Sequence, residues 1–210
     1  MKKLLKPFLF SLTIRPIISV VLGLNIRHRE RLPTCGPALI VANHNSHLDT
    51  LALMSLFKGN QLNAVRPVAA ADYWMKGGFK KWIAENVIDI ISIERKASKQ
   101  WMEPIKEALA NQSIVIIFPE GTRGDPEELA EFKNGVGRIV AACPDVPVIP
   151  IFLHGFGKSL PRGEAILVPH FCDIFVGESI KFSGDTESFM KQLRSSIESL
   201  ANEGQFTAWD

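Results

Sequence analysis

Apolar residues fall along the chain in two rhythms. Short unbroken runs rich in Ile and Val alternate with stretches in which apolar positions recur every three or four residues. The runs ALIVA (38–42), VIDIISI (87–93), SIVIIF (113–118) and VPVIPIFL (146–153) predict buried strands, and VRPVAAA (65–71) predicts another. AILVP (165–169) and DIFVGESI (173–180) read as a late strand pair. LDTLALMSLF (48–57), WMEPIKEALAN (101–111), VGRIVAA (136–142) and TESFMKQLRSSIESLANE (186–203) carry the helical rhythm. The last places Phe189, Leu193, Ile197 and Leu200 on one face. Strands alternating with helices predict a single α/β domain over residues 32–210. Its sheet is largely parallel, made mixed by the late pair, and flanked by helices. In such sheets functional sites gather at the carboxyl ends of the strands.

The most apolar stretch, residues 8–24, lies ahead of this pattern. A cleaved signal peptide is disfavoured, because NIRHRERLP follows where a small-residue cleavage site would be needed. As a spanning helix its 17 residues are at the short limit. Arg15 and Pro16 near its middle bring full insertion close to break-even. An interfacial helix, or two short helices broken at Pro16, accommodates the charges. Its apolar side would sink into one leaflet while Lys2, Lys3, Lys6, Arg15 and Arg27 meet lipid phosphates. A helix packed on the protein's own core is the remaining reading, and Arg15 fits it poorly. Residues 1–31 are therefore expected to form a membrane-association segment.

Composition changes this picture little. The 210 residues are 46% hydrophobic and 22% charged, which excludes collagen-like, coiled-coil and disordered classes. Cys35, Cys143 and Cys172 are odd in number and far apart, which favours a reducing compartment over a disulfide framework. The net charge of +2 is too small to argue for a nucleic-acid partner, and none is expected. Its distribution is uneven: residues 1–31 carry seven basic groups and one acid, leaving the remainder at −4. A basic leading segment on a mildly acidic body points to an anionic surface.

Candidate chemistry follows three of the predicted strands. Asn43-His44-Asn45-Ser46-His47-Leu48-Asp49 leaves 38–42 and enters a helical pattern. Ser46 and Asp49 match a capping box. His44 and Asp49, five residues apart, also match a base whose ring is oriented by a carboxylate one turn later. That is the base–orienter half of a triad. His44, His47 and Asp49 could alternatively hold a metal, although their spacing matches no standard zinc pattern. Phe118-Pro119-Glu120-Gly121-Thr122-Arg123-Gly124 reads as a tight turn after a buried strand. Free amides near Gly121 and the guanidinium of Arg123 suit an anion. Lys133 could supply a further cation. Arg95, just past 87–93, belongs to a charged cluster that reads by itself as solvated surface.

Together these clusters resemble the glycerolipid acyltransferase family, whose best-known members are the 1-acylglycerol-3-phosphate acyltransferases. The family's NHxSxxD motif is met by Asn43, His44, Ser46 and Asp49, and its FPEGTR motif by residues 118–123. The downstream FKxG is met by Phe132, Lys133 and Gly135, and the V-P-V-I-P strand by residues 146–150. The remaining motif is met by its apolar strand and Arg95, without the usual glycine. Ala69-Ala70-Ala71-Asp72 stands where members often carry lysine, with Lys76 nearby.

The resemblance implies that His44 takes the proton of a lysophospholipid hydroxyl and that Asp49 orients it. It implies that Arg95, Glu120, Gly121, Thr122, Arg123 and Lys133 bind the acceptor. The acyl donor would be a thioester, acyl-CoA or acyl carrier protein, with no metal or organic cofactor. The implied reaction makes phosphatidic acid from 1-acylglycerol-3-phosphate. The implied location is the cytoplasmic face of the inner membrane, peripheral or monotopic. Another lysolipid acceptor, a metal-dependent hydrolase and a non-catalytic lipid-binding module are the rival readings.

Overall fold

The computed structural model describes residues 2–71, 77–94, 100–126, 128–160 and 167–206. Helix α1 runs without a break through an α segment Lys2–Leu9, a π turn Phe10–Ile14 and a second α segment Arg15–Val21. Then follow β1 (Asn25–Arg27), β2 (Ala38–Ala42), α2 (Leu48–Ser55), α3 (Gly59–Ala64) and β3 (Val65–Ala70). Next come α4 (Gly78–Ile83), β4 (Ile91–Ile93), α5 (Glu103–Ala110), β5 (Ile114–Ile117) and α6 (Gly135–Ala142). The chain ends with β6 (Val148–His154), α7 (Phe156–Ser159), β7 (Asp173–Val176) and α8 (Thr186–Glu203).

The described strands form one sheet in the order β1-β7-β6-β2-β5-β3-β4. Every pairing is parallel except that of β6 with β7. The sheet is thus mixed and largely parallel, as the alternating pattern predicts. Every residue of β2, β5 and β6 is buried, because helices cover both faces. Alternate side chains serve opposite layers. Ile40, Ile116 and Ile151 pack with Phe10, Ile18 and Leu53 under α1 and α2. Leu39, Val41 and Val115 pack with Ile105, Ile139 and Leu193 under α5, α6 and α8. Helix α8 occupies the predicted span and buries Phe189, Leu193, Ile197 and Leu200, with Asp185 capping its start through the Ser188 amide at 2.7 Å.

Several expectations are corrected. Residues 84–88 continue α4 as a π turn, so strand β4 keeps only Ile91–Ile93 of the predicted run. Asp89 takes a left-handed backbone (φ 58°) that ends the turn, a conformation Asp tolerates. Residues 167–169 form no strand, while 165 and 166 lie outside the described residues. Strand β7 pairs instead with β6 and with the short edge strand β1. The leading helix is not broken at Pro16. Its π turn lies immediately before the proline, where Arg15 N–H reaches back to Phe10 O and the α ladder is interrupted in any case.

Two cations of α1, Lys6 and Arg15, also turn the other way. Lys6 is 4% exposed and donates to Val65 O at 2.6 Å. Arg15 donates to Ser55 O at 3.0 Å and Phe57 O at 2.6 Å, and Arg29 donates to Leu56 O at 2.6 Å. The last turn of α2 leaves carbonyls without intrahelical partners, and these two guanidiniums satisfy them at the negative end of the helix dipole. Phe10, Ile18 and Leu22 are buried on the same side of α1, each worth roughly 1.5–3 kcal/mol. Leu4, Phe8, Leu12, Ile17 and Val20 remain exposed on the outer side.

Burial pushes the Lys6 amine down to about 8, against the opposing pull of Asp89. The unfolded chain therefore holds this proton up to about 10.5 while the folded chain has released it, so stability rises with pH across that window. Lys6→Met is expected to remove that rise. Urea unfolding at pH 7.5 and 9.5 tests it, and an unchanged slope in the variant would refute the assignment.

Candidate active site

Strands β2 and β5 are hydrogen-bonded neighbours, with Val41 opposite Ile117. The segments leaving their carboxyl ends, 43–47 and 118–124, must therefore run side by side. Asn43 fixes the first of them by copying a strand pairing. Its amide donates to Leu153 O at 2.9 Å, and its carbonyl accepts Leu153 N–H at 2.7 Å. The Asn45 amide ties the segment to the carbonyls of Asp125 and Glu128.

Asp49 sits in the first turn of α2 and is fully buried. Its Oδ2 accepts His44 Nδ1 at 2.9 Å and the amides of Asn45 and Ser46 at 2.8 Å each. The capping and the base–orienter geometry thus coexist in one carboxylate. A carboxylate oxygen only accepts, so Nδ1 is the donor, which in the neutral ring leaves Nε2 as the acceptor. The ring stacks on Phe118, with centroids 4.0 Å apart and planes 14° apart. The side chain of His44 is 18% exposed and lines a cavity of about 690 Å³.

Thr122, Arg123 and Lys133 line the same cavity, as do His47 and Thr50. The rest of the lining is mostly apolar and includes Leu51, Val68, Ile88, Ile93 and Trp101. Gly121 adopts φ +72°, and a Cβ there would lie 3.1 Å from Lys133 Nζ, so glycine lets the lysine cross the turn. Its amide is committed to Phe118 O at 3.2 Å and that of Gly124 to His44 O at 2.8 Å, so neither stands free for an anion as the sequence suggests. Arg95 and Lys76 lie outside the described residues; Ile93, at the end of β4, is on the cavity wall. Among the described residues, no group of three or more His, Cys, Asp or Glu side chains is placed to hold a metal ion.

Glu120 lies behind this wall. It is 2% exposed and does not line the cavity. Its Oε1 accepts the main-chain N–H of His44 at 3.3 Å, while Oε2 is buried without a partner among the described residues. Desolvation pushes its carboxyl up to about 7; the His44 amide opposes this and the charge of Asp49 adds to it. Sequence reasoning does not reveal the stacking of Phe118, the bracing by Asn45 or the apolar wall. Phe118 and Asn45 signal themselves only by lying in segments that leave buried strands, and the wall residues Leu51, Ile88 and Trp101 carry no such signal.

An acyltransferase family model matches residues 23–154. The chain is 31% identical over 166 residues to a chloroplast 1-acyl-sn-glycerol-3-phosphate acyltransferase of Arabidopsis thaliana, covering 76% of this chain and 43% of that one. It is 27% identical over 167 residues to the human 1-acyl-sn-glycerol-3-phosphate acyltransferase alpha, covering 77% and 56%. The chain thus spans about half the length of these curated relatives. The crystal structure of a 1-acyl-sn-glycerophosphate acyltransferase from Thermotoga maritima shares its fold at 19% identity. The TM-score is 0.78, covering 100% of this chain and 85% of that one.

Between pH 4.5 and about 7 the folded chain keeps the Glu120 proton that the unfolded chain has lost, so stability falls as pH rises through this window. Glu120→Gln is expected to flatten that fall. Thermal midpoints at pH 5 and pH 8 measure it, and parallel curves for variant and wild type would count against the buried carboxyl.

Proposed function

The chain belongs to the acyltransferase family, and from that premise we propose that it moves a fatty acyl chain from a thioester donor to the free hydroxyl of 1-acylglycerol-3-phosphate, giving phosphatidic acid. The observation that carries this reading is the His44–Asp49 pair, 2.9 Å apart, on the wall of a cavity that also presents Arg123 and Lys133. Unprotonated Nε2 of His44 takes the hydroxyl proton as the oxygen attacks the thioester carbonyl. Asp49 stabilises the imidazolium that forms. The C–S bond then breaks, and the leaving thiolate receives the proton from His44. A new ester and a free thiol result, with no acyl-enzyme. A positioned base of this kind contributes about 10²–10⁴-fold, and orientation of the two substrates adds further. Arg123 and Lys133 suit the phosphate of the acceptor, and the apolar lining suits the acyl chain.

The exposed apolar side of helix α1 supports a peripheral or monotopic association with a membrane, and the reading includes its cytoplasmic face and an anionic surface. Lys6 and Arg15 are engaged by protein carbonyls and Phe10, Ile18 and Leu22 by the core, so the helix lies on the domain with Leu4, Phe8, Leu12, Ile17 and Val20 outward. Phe171, 80% exposed and seated over Gly23, extends the apolar ledge beyond the helix end. Leu4–Val21 is long and apolar enough to cross a membrane by length and composition alone, but its contacts with the domain favour burial in one leaflet.

Radiolabelled acyl transfer to lysophosphatidic acid, from acyl-CoA and from acyl carrier protein in separate arms, tests the reaction. His44→Ala is expected to lower kcat about 10²–10⁴-fold with an unchanged circular dichroism spectrum. Arg123→Ala is expected to raise the acceptor KM roughly ten- to a hundredfold, the loss of one charge-assisted contact. Wild-type rates in the His44 variant would remove the base from the mechanism. For the membrane, Leu12→Ser with Val20→Ser should shift the protein from floating with anionic vesicles to the soluble fraction. Undiminished flotation would assign binding to another surface.

A further inference from the structure

The family resemblance assigns Glu120 to the acceptor, together with Gly121 and Arg123. The geometry points elsewhere. Glu120 is 2% exposed and absent from the cavity wall, whereas Thr122 and Arg123, two and three residues on, line it. A carboxylate among the contacts of a phosphate would also repel it. What Glu120 does touch is the main chain of the base: its Oε1 accepts His44 N–H at 3.3 Å. On the other side of the same residue, Gly124 N–H donates to His44 O at 2.8 Å. The ring of His44 stacks on Phe118. Residues 118–124 therefore hold His44 at three points, by ring, amide and carbonyl. Asp49 supplies a fourth hold from α2, at Nδ1.

We propose that Glu120 is a positioning residue for His44 and not an acceptor ligand: it pins the His44 amide to the turn after β5. The base and the Arg123 cation are thereby fixed to one rigid turn. Their separation, which must match the span from hydroxyl to phosphate in the acceptor, is then set by the protein before substrate enters. A displacement of about 1 Å at such a centre costs up to roughly 10²-fold in rate without any lost contact to substrate. The raised proton affinity of Glu120 agrees with this placement, since a group facing a wet, cationic cavity would have kept its charge more easily. The inference rests on the acyl-transfer reading for its kinetic arm but not for its second arm.

The kinetic arm compares Glu120→Ala, Glu120→Gln and Glu120→Asp with Arg123→Ala in steady-state transfer to lysophosphatidic acid. Glu120→Ala is expected to lower kcat roughly 10–100-fold with the acceptor KM within about twofold. Glu120→Gln keeps the acceptor oxygen and should recover kcat to within about threefold. Glu120→Asp keeps the carboxyl but shortens the reach, and should stay as slow as the alanine variant. Arg123→Ala should show the opposite split. A raised acceptor KM with kcat retained in Glu120→Ala would overturn the proposal, as would Asp outperforming Gln if the alanine variant does not fold.

The second arm reads the His44 amide itself by hydrogen exchange, with or without turnover. Glu120→Asp should lose about tenfold or more of its protection and Glu120→Gln should retain it. Equal protection in both variants and wild type would refute the contact. A wild-type chain inactive on lysophosphatidic acid would sink the proposed reaction instead, and the exchange measurement would still decide the role of Glu120.

Discussion

One carboxylate oxygen holds the site together. Asp49 Oδ2 accepts an imidazole nitrogen and two backbone amides at the start of α2, within a shell that leaves no part of Asp49 exposed. A carboxylate so deeply buried is held by three donors to Oδ2 and the positive end of a helix, while Oδ1 has no hydrogen-bond partner among the described residues. The same three bonds close the loop between β2 and α2, so the fold of that loop and the tautomer of His44 are one fact. This explains why a five-residue spacing carries so much chemistry: it brings a residue leaving a parallel strand against the first turn of the helix that follows.

Much of this architecture is legible before any coordinates. Strands β2, β5 and β6 announce themselves as unbroken apolar runs because both their faces are covered, and α8 announces itself by Phe189, Leu193, Ile197 and Leu200. The His44–Asp49 contact is legible because both residues lie on one short segment. What escapes the sequence is non-local. Strand β1 has three residues, two of them exposed, and exists only because Asp173–Val176 offers it a parallel edge far along the chain. The run 87–93 is apolar enough for either helix or strand, and the left-handed turn at Asp89 decides between them. The place of Glu120 depends on β5 being the neighbour of β2, which no local pattern states.

The leading helix gives a sharper lesson about charged residues in apolar stretches. Arg15 reads in sequence as a group seeking lipid phosphate or water, because a guanidinium inside a core lacks partners. The structure supplies partners of another kind. The frayed end of α2 presents carbonyls at Ser55, Leu56 and Phe57, and Arg15 and Arg29 cover all three. Lys6 finds Val65 O in the same way. Unsatisfied backbone at a helix terminus is a cation site that hydropathy cannot register.

Arg15 therefore rivets the leading helix to the rear of the short helix that carries Asp49 at its front. Cutting away the first two dozen residues to obtain a water-soluble version would bare Ser55 O and Phe57 O and uncover the core beneath Phe10, Ile18 and Leu22. Such a truncation disturbs the floor on which the His44 imidazole stands. Recolouring the outer surface of that helix residue by residue instead leaves the rivet and everything inward of it untouched.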